Sequence, residues 1–216
     1  MSDTPVVEVA GTSRRREATR QKLLDAAALV FAEVGLDAAS VEAICERAGF
    51  TRGAFYSNFE TKDELFLELA GSVARGRVAV VRERVAALER EGALELVPTN
   101  AFEIVQQILD VSADDRLGVL LMSEIRIRAL RSPALAVAYL AQDEEMLRNV
   151  AQIISDIGAA RAMRFRVPAQ EAARLMLTVW EAASVRAVMA GLGDEEMHLR
   201  INEELARVAQ IIIEPV

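Results

Sequence analysis

Apolar positions recur at helical spacing along nearly the whole chain, and the interruptions between them mark where each helix stops. From Arg14 to Val34 one face carries Leu23, Ala27, Val30, Phe31 and Val34, and Gly35 follows where a helix turns left-handed to end. Ser40 is a good cap for a short second helix in which Val41, Ile44, Cys45 and Ala48 follow at i, i+3, i+4 and i+7. Gly49 closes that helix and opens a tight turn. Thr51 caps a third helix, wound here as Thr51 to Phe59, with Phe55 and Phe59 on one face and Arg52, Gly53, Tyr56 and Ser57 on another. Thr61-Lys62-Asp63-Glu64 reads as a capping box that starts a long fourth helix through about Glu91.

Five more helices are expected, over about 98–112, 116–131, 133–158, 168–191 and 195–213, with Pro133 and Pro168 at helix starts. Residues 1–13 lack a helical period and contain Pro5 and Gly11, which predicts a disordered arm. No strand and no internal repeat is expected. The fold class is all-α, with about nine helices: an arm (1–13), a three-helix unit (14–62) and a larger helical domain (63–216).

Between Ala172 and Ala190 the only charges are Arg174, Glu181 and Arg186. A helix apolar on nearly all sides has to be covered twice, by its own domain and by something else. The last helix adds a stripe of Met197, Ile201, Leu205, Val208 and Ile212. A symmetric partner packing both helices as a four-helix bundle satisfies this, so a homodimer through about 168–191 and 195–213 is expected; a central helix inside a monomer is the alternative.

Composition supports the class. Of the 216 residues 52% are hydrophobic but only 5% aromatic, with few Gly and Pro, which favours helices. Six of the ten aromatics lie between residues 31 and 66, a separate small core. One cysteine excludes an intrachain disulfide and suits a reducing, cytoplasmic setting; one histidine, His198, leaves no basis for a zinc site. No apolar run reaches membrane-spanning length, and Met1 to Gly11 lacks the pattern of a signal peptide. Cys45 falls on a buried stripe and reads as core. The usual catalytic sets are absent, so neither an enzyme nor a cofactor or metal is expected.

The net charge of −8 argues at first against a nucleic-acid partner. Its distribution changes that: residues 14–62 carry eight Lys or Arg against seven Asp or Glu, and the basic groups gather at 14–22 and 47–62. The exposed face of the third helix offers a guanidinium, a phenol, a hydroxyl and a glycine that does not block close approach, which is the chemistry of a helix entering a DNA groove. A helical module binding protein through the same face is the alternative; steep salt dependence separates the two.

The ordered set of a helix ending in Val-Gly, then Ser-Val-Glu-Ala-Ile-Cys-Glu-Arg-Ala-Gly, Thr-Arg-Gly-Ala-Phe-Tyr-Ser-Asn-Phe and Lys-Asp-Glu-Leu-Phe closely resembles the DNA-binding domain of TetR-family transcriptional regulators. It covers about a quarter of the chain, from Arg16 to Phe66. The resemblance implies a homodimer on a pseudo-palindromic, double-stranded operator, a recognition helix in the major groove and a C-terminal domain binding a small-molecule effector. It implies a repressor relieved by that effector, with an activator of the same fold as the alternative.

The candidate DNA contacts are Ser40, Thr51, Arg52, Gly53, Tyr56, Ser57, Asn58 and Lys62. Arg52 is set to donate two parallel hydrogen bonds to guanine, or else to pair with phosphate or with Glu60. Tyr56 is a phosphate ligand as its counterpart commonly is in the family, or a buried packing residue. Ser57 and Asn58 depart from the residues usual there. Ser40 and Lys62 begin helices whose free N–H groups hold phosphate. Arg14, Arg15 and Arg16 form a candidate arm along the backbone or a solvated charge run. The effector pocket is expected among the later helices, lined by Phe102, Met122, Ile125, Tyr139, Met146, Met176 and Trp180, with Glu124 and Arg126 as polar anchors and a largely apolar ligand.

Overall fold

The structure, a computed structural model, describes residues 7–92, 116–159 and 164–214. Its helices are α1 (Val7–Ala38), α2 (Val41–Ala48), α3 (Arg52–Tyr56), α4 (Lys62–Arg90), α5 (Arg116–Ala129), α6 (Pro133–Ala159), α7 (Ala169–Met189) and α8 (Asp194–Ile212). Among the described residues the only extended pairing is one antiparallel bridge, Phe165 to Ile213. The helix expected over 98–112 and the first six residues lie outside the described residues. No described helix is long and apolar enough to cross a membrane.

The start of α1 corrects the expected arm, since Val7 to Ser13 are helical. Gly11 costs a helix only about 1 kcal/mol, which does not by itself stop it. α1 breaks at Gly35, the expected end of the helix, where φ 76° and ψ 171° form a conformation open essentially to glycine alone, and a last short stretch then runs to Ala38.

The short helices are fixed by their ends. The Ser40, Thr51 and Thr61 side chains accept from the N–H groups of Ala43, Ala54 and Glu64 at 3.1, 3.3 and 3.0 Å, caps worth about 1 kcal/mol each. Glu64 reaches back to the N–H of Glu60 rather than of Thr61, so the box closes one residue early. Gly49 sits at φ 72°, and Phe50 N–H returns to the Cys45 carbonyl at 2.9 Å, a Schellman ending that aims α3 away from α2. α3 is shorter than the expected Thr51–Phe59. Both the Ser57 hydroxyl and the Asn58 amide donate to the Ala54 carbonyl, at 2.9 and 2.8 Å, and the helix closes after Tyr56.

Two cores result. The N-terminal one gathers Leu23, Phe31, Leu36, Ile44, Phe55, Phe59 and Phe66, with Phe31 and Phe66 edge to face at 6.1 Å. It runs past residue 62 into Leu65 to Ala70 of α4, and it takes in Leu121, Ile125 and Ala129 of α5 and Leu135 of α6. The second core lies among α4, α6, α7 and α8.

The stripe on α8 requires a correction. Met197, Ile201, Leu205 and Ile212 are buried within the chain's own second core, and Val208 packs against it. They face α7, α8's main neighbour, and are not available to a partner. What this hairpin leaves outward is Leu175 and Met189 on α7, with Leu199 and Ile211 on α8; Met189 is 81% exposed.

Candidate nucleic-acid interface

The two aromatic anchors of α3 orient its outer face. Phe55 and Phe59 are buried with ring centres 5.8 Å apart, which turns Thr51, Arg52, Gly53, Tyr56 and Ser57 to solvent. Tyr56 is 51% exposed, its ring edge-on to Phe55 at 5.3 Å, so the packing alternative does not hold. A Cβ built on Gly53 meets only the Thr51 hydroxyl, at 3.7 Å, so nothing inside the chain demands glycine there. Ser40 is exposed at the start of α2.

Arg52 lies with its guanidinium carbon 6.0 Å from the Tyr56 ring centre and pairs with Glu42 of α2 at 2.8 Å, not with Glu60. Both partners of the pair are more than half exposed, so the link is a weak one that a stronger acceptor can replace. Glu42 was not singled out in the sequence; the signal was its place at the first turn of α2, on the helix that α3 packs against.

Two expected contacts turn inward. Asn58 is 7% exposed; its amide donates to the Ala54 carbonyl and the Ser57 hydroxyl, and its Oδ1 is buried without a hydrogen-bond partner among the described residues. It ends α3 and does not reach the surface. Lys62 sends its ammonium to the carbonyls of Leu36 and Asp37, at 2.9 and 3.4 Å, tying the start of α4 to the α1–α2 joint. Lys62 is half-buried there, with its ammonium engaged by the chain's own carbonyls.

Arg14, Arg15 and Arg16 are exposed on α1. Arg16 donates to the Ser57 carbonyl at 3.3 Å, which places this basic turn against the end of α3. Arg20, counted in the same basic run, is structural: it pairs with Glu68 of α4, donates to the Asn58 carbonyl and lies 4.2 Å over the Phe59 ring. Cys45 is buried, its thiol 3.6 Å from the Thr51 carbonyl; burial, and then the Glu42 charge, push its ionisation upward.

Among the described residues a cavity of about 390 Å³ opens among α4, α5, α6, α7 and α8, within the usual range of ligand pockets. Met122, Arg126, Tyr139, Met146, Met176 and Trp180 line it. Phe102 lies outside the described residues. Glu124 and Ile125 do not line it: Ile125 is fully buried in the N-terminal core, and Glu124 accepts from the Leu36 N–H at 3.1 Å. They sit between Met122 and Arg126 in sequence, but the 100° step of a helix turns Glu124 to the opposite side of α5 and Ile125 to its flank.

The family profile described as bacterial regulatory proteins of the tetR family matches residues 23–69. The chain is 33% identical over 106 residues to the HTH-type transcriptional repressor KstR2 of Rhodococcus jostii, covering 49% of this chain and 50% of that protein. It is 39% identical over 79 residues to the HTH-type transcriptional repressor AcnR of Corynebacterium diphtheriae, covering 37% and 40%. The matches thus span half or less of the curated relatives. A TetR-family regulator structure from Mesorhizobium loti aligns over 93% of this chain and 99% of its own, with a TM-score of 0.68 at 19% identity, a likeness of fold.

Proposed function

We propose that this chain is a TetR-family transcriptional regulator, a repressor which binds a two-fold-symmetric DNA operator as a homodimer and is released by a small, largely apolar effector. The observation that carries this is the outward face of α3. It holds Thr51, Arg52, Gly53, Tyr56 and Ser57 clear of the core, with Arg16 at its end. Arg52 exchanges Glu42 for a guanine or a phosphate, Tyr56 and Thr51 donate to phosphate, and Gly53 lets the backbone close on the groove. Residues 14–62 form the core of the DNA-binding unit and the rest the effector and dimer domain. The dimer forms through the outward faces of α7 and α8, on Leu175, Met189, Leu199 and Ile211.

Release runs through α4 and α5. The Gln142 amide, in the cavity wall, donates to the Leu67 carbonyl of α4 at 3.2 Å, and it sits so close that a Cβ on Gly71 would lie 2.9 Å from it. α5 alternates its allegiance: Met122 and Arg126 face the cavity, while Glu124 holds the Leu36 N–H and Arg128 bridges Asp37 and Asp63. A ligand that moves α5 therefore moves the α1–α2 joint and the start of α4 together. The two recognition helices then leave the roughly 34–36 Å spacing that one DNA turn demands.

Selection of the full chain against random duplex DNA tests the reading. The expected product is an inverted repeat bound with steep salt dependence; enrichment of no sequence over several rounds would contradict it.

A further inference from the structure

We infer that the effector is an apolar molecule carrying one carboxylate or comparable anionic head, and that Arg126 is its anchor, an assignment that rests on the cavity being the effector site. Among the described residues six charged side chains line the cavity. Four of them, Arg75, Asp143, Glu145 and Arg174, stand at exposed positions. Only Arg126 and Glu181 are drawn partly into the wall, where they pair with each other.

The two ends of that pair are held differently. Arg126 Nε donates to the Tyr139 hydroxyl at 3.0 Å, and its guanidinium lies 5.9 Å from the Tyr139 ring centre. Tyr139 packs against the N-terminal core, and burial, only partly offset by Arg126, raises its ionisation, so it remains a neutral, fixed partner. The Glu181 side chain is 45% exposed against 32% for Arg126 and has no second partner among the described residues. Glu181 can therefore swing to water at small cost, whereas Arg126 stays in the wall.

A guanidinium offers five N–H donors in a planar fork, and the described contacts occupy two of them. An incoming carboxylate takes Glu181's place with bidentate geometry, and no charge is left unpaired away from water. A cationic ligand has to take Glu181 instead, which strands a partly buried guanidinium. A neutral ligand leaves the pair intact and gains only the apolar lining, which Val78, Met122, Met146, Val150, Ile154 and Leu177 supply. The exchange also falls on α5 between Glu124 and Arg128, the residues that hold the α1–α2 joint.

The single tryptophan, Trp180, lines the same cavity and reports occupancy without a label. The test is a Trp180 emission titration of the full chain with decanoate, 1-decanol and decyltrimethylammonium, each below its aggregation threshold, so that one alkyl body carries three heads. The expected Kd for decanoate is at least tenfold below that for decanol, with the cation weakest. Glu181→Gln removes the competitor and tightens decanoate while leaving decanol unchanged. Arg126→Met brings decanoate down to decanol's affinity or below, and retained decanol binding confirms an intact cavity. A tightest-binding cation, an undiminished decanoate advantage in Arg126→Met, or no emission change with any of the three overturns the assignment. Selection of DNA by the same preparation is scored separately. A chain that selects a sequence but shows no head-group preference loses only the anchor; one that prefers decanoate but selects no DNA loses only the regulator reading.

Discussion

Gly49 shows how little of a turn's chemistry lies in contacts. Its φ of 72° is left-handed, yet a Cβ there meets nothing within 4 Å, so the whole cost of a side chain is conformational. Gly49→Ala should lower stability by about 1–2 kcal/mol in urea unfolding, and Gly49→Asn by less, because asparagine tolerates that region; equal stability of all three would contradict a required left-handed residue. Cys45 should resist alkylation in the native chain and react quickly once unfolded, since burial keeps the thiol protonated and covered. Equal rates in the two states would show that the second helix opens freely. At this scale the sequence was readable wherever a residue answers to its neighbours: the three caps and both glycine turns follow from local spacing. Asn58 and Lys62 were not readable, because what claims them is a carbonyl exposed by the shortening of α3 and another 26 residues away in the α1–α2 joint.

Among the helices, α5 has the most to explain, because two cores share it. Its buried Leu121 and Ile125 belong to the N-terminal core, while Met122 and Arg126 line the cavity. Periodicity located the helix within two residues but could not say which structure each face meets, so Glu124 and Ile125 were assigned to the wrong side. The polar links at its end carry a prediction. Arg128 donates to Asp63 at 2.8 Å and pairs with Asp37. Arg128→Gln should speed amide hydrogen exchange at Leu36 to Ala39 and weaken operator binding about 2- to 30-fold, the effect of ~0.5–2 kcal/mol of coupling. Unchanged exchange with unchanged affinity would show that the joint is held without this residue. The stripe on α8 teaches a related lesson: an amphipathic pattern demands a cover but does not name it, and here the cover is the chain's own second core.

As a whole molecule, the chain divides its labour between a small basic-edged unit and an acidic helical body. The apolar side chains left outward on α7 and α8 form the face on which the proposed homodimer would close. Light scattering at micromolar concentration should give twice the 23.6 kDa chain mass, and Leu175→Glu with Met189→Glu should return it to one. A doubly substituted chain that stays dimeric would place the interface elsewhere. The central claim, that the exposed face of α3 reads DNA, is tested most directly by an anisotropy titration of the selected operator with wild type, Arg52→Ala and Tyr56→Phe at 50 and 200 mM salt. Wild-type affinity should fall about 10³–10⁵-fold between the two salts if six to ten phosphates are engaged. Arg52→Ala should cost about 1–3 kcal/mol at fixed salt and Tyr56→Phe should weaken binding as well, both with unfolding midpoints like the wild type. Wild-type affinity in both variants would contradict a DNA-reading face on α3.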